Sequence, residues 1–410
     1  MTAELFERDL RDRVFRPGSG PERIGAEVEM LVLDADTLAP VPICAPGRVS
    51  SLPLLRRFAA RRGWREALGY GGPGGFLPPE RGVVSWEPGG QIEYSAPPCT
   101  SVTALLGALR GVVLPLRAWM ADHGLELRSV GIDPTNHLAS TSLQLSAHRY
   151  VRMDEYLAAI GPAGPRMMRQ TASLQVNLDW GADPDLRWRT LNALAPYLTA
   201  IFANSPDYAG EPAGHQSFRA HSWRELDPLR TGILGVEDDP VGEYLRFALN
   251  APAILLDGAD DSPFHALMGE ATQDHWWTHL TTLFPEVRPK GYVEVRSLDA
   301  VPPEWYAAPL ALLAGIALHR ASLLDAADLL RAPDAALLVR AGQVGLRDPA
   351  IQQVACDLWE IAFRGCSALG ESFIAPSDLE QARAFRNSYT CRGRSPADDR
   401  QPTLSRLRVS

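Results

Sequence analysis

The chain has 410 residues, 46% of them hydrophobic and 22% charged, which suffices for one large core or two ordinary ones; its net charge of −9 argues against nucleic acid or an anionic membrane surface as a partner. Of its 40 basic residues all but Lys290 are arginine, so lysine-dependent chemistry has a single candidate. Phosphate-loop chemistry is excluded, because Gly71-Gly72-Pro73-Gly74-Gly75 runs into Phe76 with no Lys-Ser or Lys-Thr behind it and reads as a flexible loop. The five cysteines are widely spaced without a C-x-x-C pair, the N-terminus lacks an apolar signal segment, and the longest apolar run, 307–318, falls short of the ~20 residues a membrane helix needs. A soluble protein of the reducing cytoplasm is expected.

In chain order, a helix is expected over 3–16, ended by Pro17-Gly18-Ser19-Gly20-Pro21. The strand 24–33 puts Glu27 and Glu29 on one face and Val28 and Met30 on the other, so two carboxylates ~7 Å apart must repel unless a cation lies between them. A helix over 52–62 and a Gly/Pro-rich loop lead to a strand ending in Val83-Val84. Glu87 then precedes the bend Pro88-Gly89-Gly90, and strand 91–95 shows Gln91, Glu93 and Ser95 on one face, Ile92 and Tyr94 on the other. Helix 103–122 stops at Gly124, strand 125–132 follows, and residues 149–160 are helical. Strand 171–179 repeats the earlier alternation, with Gln175, Asn177 and Asp179 opposite Leu174, Val176 and Leu178. After helix 185–204 comes a long polar loop to residue 232 that contains Arg219 and Arg230; a loop of that length within a compact domain suggests function. Strand 291–299 carries Glu294 and Arg296 on one face. Helices are expected over 304–331, 348–369 and 376–388.

No repeat or long linker divides the chain. The expected organisation is a catalytic α+β core over 1–302, a helical portion over 303–388 packed on it, and a flexible tail over 389–410.

Any one acidic strand reads as the solvated face of an antiparallel sheet. Four of them, with polar positions that are mostly Glu, Gln and Asn, suggest one concave face gathering Glu27, Glu29, Glu87, Glu93 and Glu294. Such a face needs cations, and carboxylate oxygens suit magnesium or manganese. Arg219, Arg230 and Arg296 on the same elements suit carboxylates or phosphates. Acidic groups for metals and arginines for oxyanions together suggest phosphoryl transfer from a nucleotide, although each arginine taken singly fits a structural ion pair as well. His275 and His279 have helical spacing, but Trp276 stands where a zinc-protease motif has Glu, and core or surface histidines are the better reading.

Glu87-Pro88-Gly89-Gly90-Gln91-Ile92-Glu93, Gln175-Val176-Asn177-Leu178-Asp179, Phe202-Ala203-Asn204-Ser205-Pro206, Asp227-Pro228-Leu229-Arg230-Thr231-Gly232 and Tyr292-Val293-Glu294-Val295-Arg296 together resemble the glutamate–cysteine ligases of the plant and bacterial type, in the family's order, from about residue 24 to 315. The resemblance implies a glutamine-synthetase-like fold with a curved antiparallel sheet as an active-site funnel, and ligation of glutamate to cysteine dependent on ATP and magnesium. It makes Glu27, Glu29, Glu87, Glu93 and Glu294 the magnesium ligands, lines the funnel with Gln175 and Asn177, and gives Arg219 the glutamate carboxylate and Arg230 and Arg296 the phosphate or acyl phosphate. The segment Ser297-Leu298-Asp299-Ala300 resembles members linked to ergothioneine synthesis about as well as glutathione-forming ones. A ligase for another acid or amine, a guanidino phosphotransferase on the same fold, and a non-catalytic nucleotide or metal binder are the competing readings.

Overall fold

In a computed structural model, the described residues are 2–399 apart from 19, 68, 70–72, 257, 259 and 260, so part of the glycine loop and residues 400–410 lie outside them. The centre is a nine-stranded sheet: β1 (Ile24–Asp34), β2 (Arg65–Glu66), β3 (Phe76–Leu77), β4 (Val83–Trp86), β5 (Ile92–Ser95), β6 (Leu125–Arg128), β7 (Leu174–Leu178), β8 (Val287–Pro289) and β9 (Val293–Val295). The strand order is β8-β9-β7-β1-β5-β4-β3-β2, with β6 also beside β1 and every pairing antiparallel. β1 is the organising strand: residues 24–28 pair with β7, 27–30 with β5, and 31–34 with β6.

Period-two alternation decides what each face does. Ala26, Val28, Met30, Ile92, Tyr94, Val176 and Leu178 are buried in the core, which fixes the register of their strands, since a one-residue slip would expose them all. The helix Val102–Ala121 packs beneath, its N-terminus capped by Ser101, which accepts from the Ala104 N–H (3.1 Å). By length and composition it could cross a membrane. Its Leu105, Leu106, Leu109, Val112, Val113 and Leu116 are, however, fully buried in the protein core, as in the core helix of a globular fold. The helix Ala307–Ala317 is buried at all eleven positions, packed on Pro349–Leu369 and Pro376–Ser388. One continuous core runs from Phe6 to Tyr389, so the C-terminal helices share it with the sheet. The α+β architecture is the expected one, a long antiparallel sheet with helices packed against it.

Several elements differ from expectation. The helix foreseen over 304–331 breaks into Ala307–Ala317 and Arg320–Leu330, bent by 94°. Polar His319 ends the buried apolar run, and its ring accepts from the Ser322 N–H to cap the second helix. Helix 185–204 stops at Ile201, because Asn204 leaves the helix to donate to the carbonyls of Ser129 (3.0 Å) and Ala300 (2.8 Å). The long polar loop contains the helix Phe218–Arg224, capped by Ser217. Helices at Ala163–Gln170, Pro240–Asn250 and Ala335–Val344 had no strong sequence signal. The tail is also a correction in part: residues 389–399 are packed rather than free. Trp359 Nε1 donates to Thr390 Oγ1 (3.1 Å), Ala397 N–H donates to the Ala203 carbonyl (2.9 Å), and Arg347 pairs with Asp398 (2.5 Å), so the polar character of this segment is spent on partners.

Candidate active site

Strand register assembles the acidic cluster. Glu29 lies opposite Glu93 across β1 and β5, and Glu27 lies between Ser95 and Gln175. Glu27, Glu29, Glu87, Glu93 and Gln175 line one cavity of about 230 Å³. The polar side of the three strands thus converges as their alternation foretold. Second partners hold two of the acids in place: Glu29 accepts from the Ser173 N–H (2.7 Å) and Gln175 Nε2 (3.1 Å), and Glu93 accepts from Ser95 Oγ (2.6 Å).

The bend between β4 and β5 delivers Glu87. Its N–H donates to the Gln91 carbonyl (2.9 Å), and the Gly90 N–H donates back to the Glu87 carbonyl (2.9 Å). Gly90 has φ +93°, a conformation L side chains rarely adopt. A Cβ on Gly89 would lie 2.1 Å from the Arg169 carbonyl oxygen. Gln91 is buried and also lines the cavity; it accepts from the Gly89 N–H (2.9 Å) and donates to the Thr171 carbonyl (2.8 Å), tying the bend to the start of β7.

The cluster is electrostatically uncomfortable. Burial, followed by the charges of Glu29 and Glu27, pushes the Glu87 carboxyl up to about 8. Burial together with Glu87, Glu27 and Glu29 holds Glu93 well above the usual carboxylate range. Glu29 is raised by burial, with Arg219, the Ser173 N–H and Arg296 opposing. Among the described residues no three Asp, Glu, His or Cys side chains are drawn close enough to hold an ion between them. The donor chemistry nonetheless fits a hard divalent cation: all-oxygen ligands under mutual repulsion, which such an ion relieves. The pH dependence follows. Above about pH 7, where the buried His279, held down to about 4, no longer acts in the opposite sense, and up to the value of about 8 at Glu87, the carboxylate cluster binds more protons in the folded chain than in the unfolded one. Stability of the metal-free protein should therefore fall as pH rises through that window, and added magnesium should raise Tm more at pH 8 than at pH 5. Calorimetry with and without chelator measures both, and a Tm that climbs between about pH 7 and pH 8 without metal would contradict the cluster's electrostatics.

Three sequence-predicted residues are placed differently. Arg230 is fully buried and its guanidinium is taken up by Asp227 Oδ2 (2.9 Å), the Thr282 carbonyl (2.9 Å) and the Pro252 carbonyl (2.8 Å), over the Tyr156 ring. It is not among the residues lining the cavity, and here it serves as a staple for three loops. Arg230→Met should thus cost about 3–5 kcal/mol in denaturant unfolding, because Asp227 would be left buried without its charge partner, while KM values of the folded fraction stay unchanged. Glu294 is completely buried and paired with Arg288 (2.7 Å), Arg296 (2.8 Å) and Lys290 (3.0 Å). Burial raises its pKa, but these three cations outweigh it and hold the carboxyl well below the usual range. Here it is the counter-ion that gathers Arg288 and Arg296 at the cavity wall. Asn177 donates to Glu27 Oε1 (3.0 Å) and lines a second cavity, of about 200 Å³, that also reaches Glu27.

Arg219 and Arg296 do line the first cavity, with Arg296 donating to Gln175 Oε1 (2.7 Å). Sequence reasoning missed Arg149, Arg288 and the apolar wall. Arg149 lines the cavity from the first turn of the helix His148–Ile160, where nothing in the periodicity marks it. Met153, Met167, Met168, Trp223 and Phe284 form a small separate core that walls one side of the cavity. His279 is a core residue, its Nε2 on the Ala248 carbonyl (2.7 Å), and His275 belongs to a helix cap with Thr272.

Comparison with known proteins gives the family and the fold. Residues 23–355 match the profile of glutamate–cysteine ligase family 2. The glutamate–cysteine ligase EgtA of Mycolicibacterium smegmatis is 36% identical over 341 residues, covering 77% of this chain and 76% of that one. The chloroplastic glutamate–cysteine ligase B of Oryza sativa subsp. japonica is 32% identical over 325 residues, covering 74% of this chain and 64% of that one. In three dimensions the fold is similar to that of a glutamate–cysteine ligase from Francisella tularensis solved in complex with AMP, with a TM-score of 0.53 at 12% identity, covering 93% of this chain and 84% of that chain. The fold is thus that of a glutamate–cysteine ligase, and the chain belongs to glutamate–cysteine ligase family 2.

Proposed function

We propose that this protein joins the γ-carboxylate of L-glutamate to the amine of L-cysteine at the expense of ATP, through γ-glutamyl phosphate, giving γ-glutamylcysteine, ADP and phosphate. The observation that carries this reading is four carboxylates, three on one polar sheet face and Glu87 on the bend beside it, sharing a cavity with Arg149, Arg219 and Arg296. Glu27, Glu29, Glu87 and Glu93 would hold magnesium or manganese, whose positive charge lets two anionic reactants approach. Arg219 and Arg149 suit the carboxylates of the acid substrate. Arg296, held by Glu294 and Gln175, suits the phosphoryl group under transfer. Glu27 lines both cavities. On this reading the nucleotide enters through the one shared with Asn177 and Tyr292, the amino acids enter through the other, and they meet at Glu27.

In the first step a γ-carboxylate oxygen attacks the terminal phosphorus of ATP and ADP leaves; in the second the cysteine nitrogen attacks the acyl carbon and phosphate leaves. Trp223, Phe284 and the methionines exclude water that would otherwise hydrolyse the acyl phosphate. The cytoplasm, with its ATP and reduced thiols, is where we place this reaction.

The test is ADP release with ATP, magnesium and glutamate across a panel of amines. A cysteine-selective signal is expected. A signal selective for another amine would reassign the second substrate, and phosphate transfer to a guanidino compound without amide formation would overturn the ligase reading.

A further inference from the structure

Asp299 lies just beyond β9, buried to 1% exposure, and is not among the residues lining the cavity. Three donors converge on its carboxylate, the Asn204 N–H (2.8 Å) and Ser205 Oγ (2.6 Å) on Oδ2 and Ser217 Oγ (2.9 Å) on Oδ1, and the Arg219 guanidinium forms an ion pair 3.8 Å from Oδ1. The space it occupies exists because residue 131 is glycine; a Cβ there would lie 2.3 Å from Asp299 Cγ. A carboxylate so deeply buried survives only with such partners.

The partners share a destination. Ser217 caps the Phe218–Arg224 helix by accepting from the Ala220 N–H (3.0 Å), and that helix carries Arg219. Ser205 Oγ accepts from the backbone N–H of Arg219 (3.2 Å). The guanidinium itself donates from Nη2 to the Arg296 carbonyl (3.0 Å) and still lines the cavity. Backbone, helix cap and charged head of Arg219 are thus all tied to one buried carboxylate.

We propose that Asp299 is a positioning residue that presents the Arg219 guanidinium to the carboxylate of the acid substrate, an inference that rests on reading this cavity as the acid-substrate site. Holding a long, flexible side chain in its binding pose before substrate arrives removes an ordering cost that binding would otherwise bear. The effect falls on the acid substrate, because the network fixes the Arg219 guanidinium and meets Arg296, the phosphoryl contact, only at its backbone carbonyl.

The test is glutamate-dependent hydroxamate formation in the presence of hydroxylamine, with thermal unfolding alongside. For Asp299→Asn the KM for glutamate should rise about tenfold, with the KM for ATP within about twofold. Ser205→Ala should move the glutamate KM in the same direction by a few fold. On an Arg219→Lys background, Asp299→Asn should add less than about twofold, since both changes act through one guanidinium. An unchanged glutamate KM, equal rises for glutamate and ATP, or a full additional penalty on the Arg219→Lys background would overturn the proposal. If Asp299→Asn does not fold, an unchanged glutamate KM in Ser205→Ala overturns it instead. Wild-type protein that forms no hydroxamate overturns the acid-substrate reading itself, and no variant is needed to see that.

Discussion

Glu93→Gln should give a protein that is more stable without metal yet almost inactive. Glu93 is buried opposite Glu29, with Glu87 and Glu27 acting on it, and its charged form is disfavoured by burial and by all three. Replacing it with an isosteric amide removes that repulsion, so Tm of the metal-free protein at pH 8 should rise by a few degrees. Activity should fall by about 100-fold or more, and the residual rate should need much higher magnesium, because the lost charge is one the cation would meet. Titrating activity against magnesium alongside thermal unfolding gives both numbers. Normal turnover at ordinary magnesium would remove Glu93 from the ligand set, and a lower Tm would show that its carboxylate is structural.

Gly89→Ala should damage stability and activity together. The Cβ would stand 2.1 Å from the Arg169 carbonyl oxygen and 2.5 Å from its Cα, so backbone has to move on one side or the other. That side is the end of the helix Ala163–Gln170, which leads directly into β7. The bend is also pinned by Gln144, whose Nε2 donates to the Gly89 carbonyl (2.7 Å) and whose N–H donates to the Pro88 carbonyl (2.7 Å). Overpacking a site this rigid costs about 3 kcal/mol. Whatever protein folds should be inactive as well, since Glu87 and Glu93 flank the bend, line the same cavity and both depend on its shape. Urea unfolding and ADP release measure the two effects, and a variant of normal stability would mean the bend tolerates displacement that the packing forbids.

What was legible in the sequence was whatever a short period could carry. Residues 26–30 of β1, and β5 and β7, alternate apolar and polar residues, and those strands bring Glu27, Glu29, Glu93 and Gln175 to one cavity. Asn177 obeys the same alternation yet faces the other cavity, because Glu27 stands between them; alternation names a face and not a position along it. Arg230 shows a different limit. Its motif is local, but its burial comes from Pro252 and Thr282, 22 and 52 residues away, and nothing in Asp227-Pro228-Leu229-Arg230 announces them. Glu294 looked like a fifth metal ligand because it shares a face with Arg296. That Arg288 and Lys290 would reach it depends on β8 pairing back on β9. Arg149 and the methionine wall come from short helices whose placement over the sheet is tertiary throughout. The bend at 318–319 escaped notice because both sides of it are good helix, and only the capping hydrogen bond at His319 divides them.

The central claim is that the acidic cavity is where glutamate is phosphorylated by ATP. The most direct measurement incubates the purified protein with ATP, magnesium, glutamate and hydroxylamine, without any other amine, and looks for γ-glutamyl hydroxamate matched mole for mole by ADP. The account predicts that both form, that chelating the metal abolishes both, and that Glu93→Gln loses both in parallel. ADP released without glutamate, or no hydroxamate while an amide still forms with cysteine, would contradict it.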